Sequence, residues 1–583
     1  MSEAISYKIS LEKVTQHLLT VECRIKKPSE EGQVVSLPAW VPGSYMIRDF
    51  AKHLVSIRAE SLGKPIEVFK IEKNTWRFAP CSDELLIKYQ VYCFDLMPRG
   101  AYLDNTRAFF DGCRVFLVVD GEEEQTRCVE ILRPKHAWRC ATSMKPYRID
   151  ADGFGIYIAN NHLDLIDHPF EIGTFQELSF TVANVPHKII IDGTFHGDLE
   201  RLAKDVEQVC TGQVDFFGEL PVMDHYIFIL NVLGKGWGGI EHRSSSTLLC
   251  ARSDLPVIGD SSMSEQYRAL LGLFSHEYFH LWNVKRIKPE VFLNPDLTEE
   301  VYTRQLWIFE GITSYYDNMN LVQHNIISPD VYLQLLQKDI TTLLQNPGTN
   351  LQTLEDSSFD AWIKYYQPDE NSPNSTVSYY IKGSLVALAL DLLIIKNSRR
   401  KQSLADLMQV LWQQYGKAGL GVPENYFEHL TYEITGEDYS DFFSLALRTT
   451  EPLPLPELFL EVGVIYKLNP ADTLDNLGVK FSPDQSKLIV RSVINGSVLE
   501  YAGLAANDVV LAINNVAVTL NTIENLLNRY QPNDKIVMHV FRNDILMELE
   551  FANPENTQFS CTLEIANNLT ESQQLNWQKW LNR

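Results

Sequence analysis

Residues 275–282 read SHEYFHLW, and the run before them places Tyr267, Leu270, Leu271 and Phe274 at helical spacing. That periodicity predicts a buried helix running through the motif. Positions i and i+4 share a helix face, so His276 and His280 can offer imidazole nitrogens to one ion. Glu277 stands one residue on, beside that ion but turned from it, where a carboxylate can take a proton from attacking water. Two histidines packed in an ordinary helix are the plainer reading, and the surrounding sequence argues against it.

A catalytic zinc needs three protein ligands and one open position. A third histidine six residues past the second would mark one large branch of such sites, but Arg286 stands there. The alternative is a glutamate on a second helix. Glu310 lies in LWIFEGITSYYD, where Leu306, Phe309, Ile312 and Tyr316 recur at helical spacing. Glu290, Glu299 and Glu300 compete for the role. Glu299 and Glu300 follow Asp296 and Thr298 at a helix start, where acidic residues simply favour the dipole. Glu310 is therefore the expected third ligand, with one Zn(2+) per chain. Asp317, seven residues later on that face, either orients a histidine or sits solvated.

A chain of 583 residues is too long for a single core. Residues 1–165 alternate short β-rich runs with turns, as in YKISLEKVTQHLLTVECRIK and ELLIKYQVYCF, and predict an antiparallel β domain. Within it LPAWVPGSYMIRDF is a loop that brings Trp40, Tyr45 and Arg48 close together. Residues 166–455 begin with strands such as KIIIDG and YIFILNV and continue as helices, an α+β order. EPLPLPELF reads as a linker. Short strands return over 456–560, and 561–583 reads as a polar tail.

Composition excludes several classes. Lys+Arg 51 against Asp+Glu 75 gives a net charge of −24, with no basic stretch to grip phosphates, so nucleic acid is not an expected partner. The longest apolar run, LVALALDLLII, is too short to span a bilayer and carries Asp391, so no membrane insertion is expected. No signal peptide is visible in MSEAISYKISLEKV. Nine scattered cysteines without CxxC pairs suit reduced thiols, and the cytoplasm is the expected compartment.

Two resemblances sharpen this reading. NLGVKF, LIVRSVINGSVLEYAGLAANDVVLAINNVAV and TIENLLNRY together resemble a PDZ domain. That resemblance implies a loop at Asn476, Leu477, Gly478 and Val479 whose amides bind a peptide's terminal carboxylate, the peptide adding as a strand beside 479–482. HEYFH followed by FEGITSYY resembles the gluzincin metallopeptidases, where the Glu–Gly pair brings the third ligand. GGIEH is similar to the Gly-x-Met-Glu-Asn signature of zinc aminopeptidases, with Ile240 for Met and His242 for Asn. YIKG resembles their Tyr-Glu-Lys-Gly segment.

With PAWVPGSY, the whole chain resembles the PDZ-containing glycyl aminopeptidase family. The family implies a thermolysin-like catalytic domain over 166–455, with Tyr380 stabilising the oxyanion. It also implies Glu241 facing the substrate ammonium, Gly238 and Gly239 admitting substrate backbone, and a preference for Gly or Ala as first residue. Peptides are the expected substrates and a C-terminal peptide the expected PDZ ligand. An endopeptidase on the same site and a non-catalytic peptide-binding scaffold are the alternatives. Glu277, which a decayed scaffold would be free to lose, favours the enzyme.

Overall fold

Apolar and polar residues alternating at period two make a strand with one buried face. ISYKISLEK does this over Ile5–Lys13, where Ile5, Tyr7, Ile9 and Leu11 are buried. The computed structural model describes residues 4–482 and 487–581. These divide into two compact units: Met1–Tyr302 with Gln409–Val422, and Thr303–Met408 with Pro423–Arg583.

The first unit opens with β structure, and over the described residues its largest sheet has eight strands. Ile5–Lys13 pairs antiparallel with Leu18–Ile25, as the sequence pattern predicts, but parallel with Arg127–Ile131, a long-range pairing no local pattern announces. Tyr7 and Tyr89 are buried, and each satisfies its hydroxyl on a backbone carbonyl, of Leu117 at 2.5 Å and of Val115 at 2.8 Å. The β structure continues past residue 165, because Phe170–Gly173 pairs with Ala108–Phe110 and Arg139–Thr142.

Next comes a five-stranded sheet whose order is Gln176–Val182, Val185–Asp192, Tyr226–Leu233, Ser245–Ala251, Gly238–Glu241. Its central strand, YIFILNVL, runs parallel to both neighbours and is buried on both faces, which is why it is apolar without alternation. Gly238–Glu241 forms an outer edge, antiparallel to Ser245–Ala251. The helix Leu199–Phe217 starts on Asp198, whose side chain accepts from the Arg201 amide. The helix Glu265–Phe279 starts on Ser264, which caps the Tyr267 amide at 3.1 Å. Gln213 ties the two helices together by donating to Ser275 Oγ at 2.9 Å.

The second unit is helical around Ile381–Asn397, which contains the LVALALDLLII run and is buried almost throughout. Its one carboxylate is satisfied: Asp391 accepts from Tyr315 Oη at 2.7 Å and from the Leu404 amide at 2.8 Å. EPLPLPELF is not a linker. Its second half enters the helix Leu455–Glu461, where Pro456 sits in the first turn that tolerates proline, and Leu455, Leu458 and Phe459 are buried. Beyond it lies a sheet ordered Val479–Phe481, Leu488–Val493, Val509–Ile513, Lys535–Arg542, Ile545–Ala552, closed over its own apolar core. The final segment, read as a polar tail, is folded as well. Phe559–Ile565 pairs with Val464–Pro470, and the helix Glu571–Leu581 buries Trp580. No helix of the described residues is long and apolar enough to cross a membrane.

Candidate active site

The helix Glu265–Phe279 carries His276 and Glu277 in its last turn and hands on to His280 as its C-cap. His280 is buried, and its Nδ1 lies 2.7 Å from the Asn283 carbonyl. A carbonyl only accepts, so Nδ1 carries the proton and Nε2 keeps its lone pair for a ligand. The two imidazoles stand 4.6 Å apart at 89°. Glu310 is buried in Trp307–Gly311, a π turn rather than the regular α-helical turn expected there. The wider turn shifts the register of Glu310, a departure common at functional sites.

His276, His280 and Glu310 each offer a ligand atom, and these atoms lie within 4.8 Å of one another. Around a four-coordinate zinc such atoms stand about 3.4 Å apart, so the donor set and its spacing fit that ion. Asp317 is buried on the following helix and accepts from Asn318 Nδ2 at 2.6 Å.

Glu277 is 5% exposed, and the edge strand passes directly over its carboxylate. A Cβ on Gly239 would fall 2.0 Å from Glu277 Oε1, so any larger residue there would have to push the Glu277 carboxylate out of its place. Residues two apart on a strand face the same way, which puts Glu241 on that face about 6.6 Å further along. Glu241 is 3% exposed, and its Oε1 has no hydrogen-bond partner among the described residues. The loop residue Gly43, at φ +97°, closes over it, with a Cβ position 2.3 Å from Glu241 Oε1. In the same loop Tyr45 stacks on Phe292 at 5.7 Å and Trp40 donates to the Asp296 carbonyl at 2.9 Å. The PAWVPGSY loop is therefore packed onto the region that follows the HEYFH helix.

Tyr380 is half-buried and shares a 3.1 Å hydrogen bond with the hydroxyl of Tyr366. Its ring stacks on Tyr365 at 5.3 Å and on Tyr379 at 4.7 Å. Burial, then the charge of Glu310, pushes its phenol well above the ordinary value, so it stays a donor. Tyr379 is fully buried. Tyr365 and Tyr366 were not legible as site residues, since they follow a short 3-10 turn at Asp360–Trp362 and have no helical period.

A polar cluster around His242 also escaped the sequence reading. His242 lies 3.5 Å from Asp167 and 3.9 Å from Asp111, and Lys285 pairs with Asp167 at 2.7 Å. Burial opposes ionisation of Asp167, but Lys285 and His242 hold its carboxyl well below the usual range. In the C-terminal module, Asn476 and Leu477 end a helical turn closed by Gly478 at φ +73°. The amides of Asn476 and Gly478 already donate to Asp472 and Asp475. Val479 opens the short strand that, among the described residues, stands at the end of its sheet.

Three stretches of the chain match known families: residues 6–174 the peptidase M61 N-terminal domain, residues 269–386 the M61 glycyl aminopeptidase, and residues 476–552 the PDZ domain. The crystal structure of an aminopeptidase N family protein from Idiomarina loihiensis is 35% identical, with a TM-score of 0.94, and the match covers 99% of this chain and 100% of that one. An M1 zinc metallopeptidase from Deinococcus radiodurans is 12% identical with a TM-score of 0.49, over 77% of this chain and 95% of its own. Among curated proteins none matches.

Proposed function

Since the chain belongs to the M61 glycyl aminopeptidase family, a family of metallopeptidases, and carries a PDZ domain, we propose that it removes single small residues, Gly or Ala, from the free amino end of peptides. His276, His280 and Glu310 would hold the zinc ion. When bound, that ion supplies the electrophile that polarises the scissile carbonyl and makes water acidic enough to attack near neutral pH. Glu277 takes the proton of the attacking water and returns it to the leaving amine. Tyr380 donates its phenolic hydrogen to the oxygen on which negative charge develops. Gly239 lets substrate backbone lie along the edge strand beside Glu277.

The observation that carries the aminopeptidase reading is Glu241. A buried carboxylate oxygen without a partner is costly, and it awaits a cation. The α-ammonium of a substrate would supply one. Because Glu241 stands two residues from Gly239 on one strand face, the offset of about 6.6 Å suits a carboxylate that meets the ammonium while Glu277 serves the carbonyl of that same first residue. Comparing a free-amine dipeptide with its N-acetyl form tests the reading: equal cleavage of both would make the enzyme an endopeptidase.

The PDZ module would bind a peptide C-terminus, with the peptide added along Val479–Phe481. Support comes from the place of that strand at the end of its sheet among the described residues. The amides of Asn476 and Gly478 are committed within their turn, so backbone pairing along the strand carries more of the affinity than a carboxylate nest.

A further inference from the structure

We propose that the cavity beside Glu241 receives the side-chain carboxylate of an acidic first residue, so that N-terminal Asp and Glu join Gly and Ala as substrates. The inference rests on the proposed role of Glu241 toward the substrate ammonium. It deepens that role by naming what lies beyond the ammonium.

The cavity measures about 460 Å³ and is walled by the PAWVPGSY loop, residues 160–167, Glu241 to Arg243 and the stretch 284–295. A hydrogen or a methyl group would leave most of it unfilled. Its carboxylates, apart from Glu241, are already met. Asp167 pairs with Lys285, and Asp164 accepts from the backbone and side-chain nitrogens of Asn160 at 2.7 and 2.9 Å.

Two of its three lining cations, Lys288 and Arg243, are not met in this way. Lys288 lines the cavity, and among the described residues no carboxylate stands within ion-pair distance of its Nζ. The Arg243 guanidinium has no carboxylate within ion-pair distance either among the described residues, although the backbone amide of Arg243 donates to Asp167 Oδ2 at 2.7 Å. Arg286, packed behind them, spends its guanidinium on the carbonyls of Leu281 and Arg243 at 2.7 and 3.1 Å. Arg243, Lys285, Arg286 and Lys288 thus lie around Asp167, which forms an ion pair with only Lys285 among them. A second carboxylate of the cluster, the buried Asp111, faces His242. Burial first, then the neighbouring Lys285 and Arg243, lowers Lys288 to about 7. An entering carboxylate would leave the burial in place but offset its cost, and the repulsion between the cations, with opposite charge.

The cavity therefore presents one unmatched carboxylate and an excess of unmatched cations. A ligand with an ammonium and a carboxylate on one short frame complements both, and an N-terminal Asp or Glu is that ligand. Asn and Gln have the same shape without the charge, so they isolate the electrostatic part.

The test uses full-length, zinc-loaded Glu277→Gln enzyme, in which dipeptides bind without turnover, and calorimetry with Asp-Ala, Asn-Ala and Ala-Ala. Asp-Ala is expected to bind about tenfold more tightly than Asn-Ala. That ratio should fall to about one on adding Lys288→Met and survive Lys288→Arg. Equal or weaker binding of Asp-Ala overturns the inference. So does chloride that tightens all three dipeptides alike, because the cations would then serve an inorganic anion. If Lys288→Met does not fold, the Asp-to-Asn ratio of the Glu277→Gln enzyme decides alone. Wild-type turnover separates the two readings. Ala-Ala cleaved but not its N-acetyl form, with no Asp preference in binding, sinks only the acidic pocket. N-acetyl peptide cleaved equally sinks the aminopeptidase reading itself.

Discussion

Asn374 closes both of its amide atoms on the backbone around Asn495: Oδ1 accepts from the Asn495 N–H at 2.9 Å, and Nδ2 donates to the Val493 carbonyl at 2.9 Å. Ile494, between those two, donates to the Gly478 carbonyl at 2.8 Å. The turn closed by Gly478 and the segment leading to Tyr380 therefore meet at one short stretch, residues 493–495. Asn374 is 3% exposed, so its truncation to alanine leaves a donor and an acceptor without partners. Asn374→Ala should cost about 2–3 kcal/mol, read as a lowered melting temperature. A change below about 0.5 kcal/mol would mean that water replaces the side chain.

The metal assignments separate by metal content. Glu277→Gln should keep its zinc while turnover falls about 10²–10⁴-fold, and Glu310→Ala should lose zinc, both measured by elemental analysis of the purified protein. Zinc lost from Glu277→Gln, or retained in full by Glu310→Ala, contradicts the roles given.

Tyr380→Phe should lower kcat about 10²–10³-fold with little change in KM, because the hydrogen bond is needed only as charge develops. Tyr366→Phe loses a partner of that hydroxyl and should cost less than about tenfold. Since burial and Glu310 push the Tyr380 phenol well above its ordinary value, no alkaline fall in kcat should arise from it below about pH 10. A loss from Tyr379→Phe equal to that from Tyr380→Phe would reverse the assignment.

Glu241→Gln keeps shape and removes charge. It should raise KM for free-amine dipeptides about tenfold to a hundredfold and narrow their advantage over N-acetyl forms. Steady-state kinetics on both substrates checks this, and an unchanged KM removes Glu241 from ammonium binding.

The C-terminal helix should prove indispensable to the helical unit. Trp580 is fully buried, donates to Tyr315 Oη at 3.1 Å, accepts from Gln323 at its carbonyl, and packs on Tyr332 and Phe459. Trp580→Ala should cost about 3–5 kcal/mol in denaturant unfolding. A chain ending near Glu451 should be unstable rather than merely poor on long peptides. A truncated protein as stable as the full chain would restore the view of the C-terminal module as a separate appendage.

Local chemistry made much of this protein legible. His276, Glu277 and His280 are one helical turn, and a turn is dictated by spacing alone. The central strand Tyr226–Leu233 and the helix through Asp391 declare themselves by unbroken apolarity. The linker reading of EPLPLPELF failed because proline composition says nothing about burial of the leucines between the prolines. The tail reading failed for a similar reason: the helix Glu571–Leu581 is polar on average, and a few buried residues, Asn576, Trp580 and Leu581, anchor it.

The HEYFH helix, the α+β order and the families of the N-terminal, catalytic and PDZ segments could be read from the residues alone, because each depends on residues close together in the chain. Which distant groups share a site became visible in the folded chain. Folding brought Tyr366 to Tyr380, closed Gly43 over Glu241, and left Lys288 with no carboxylate within ion-pair distance among the described residues. Those relationships depend on how sheets and loops pack, and on which charges that packing leaves unmatched, neither of which any spacing along the chain records.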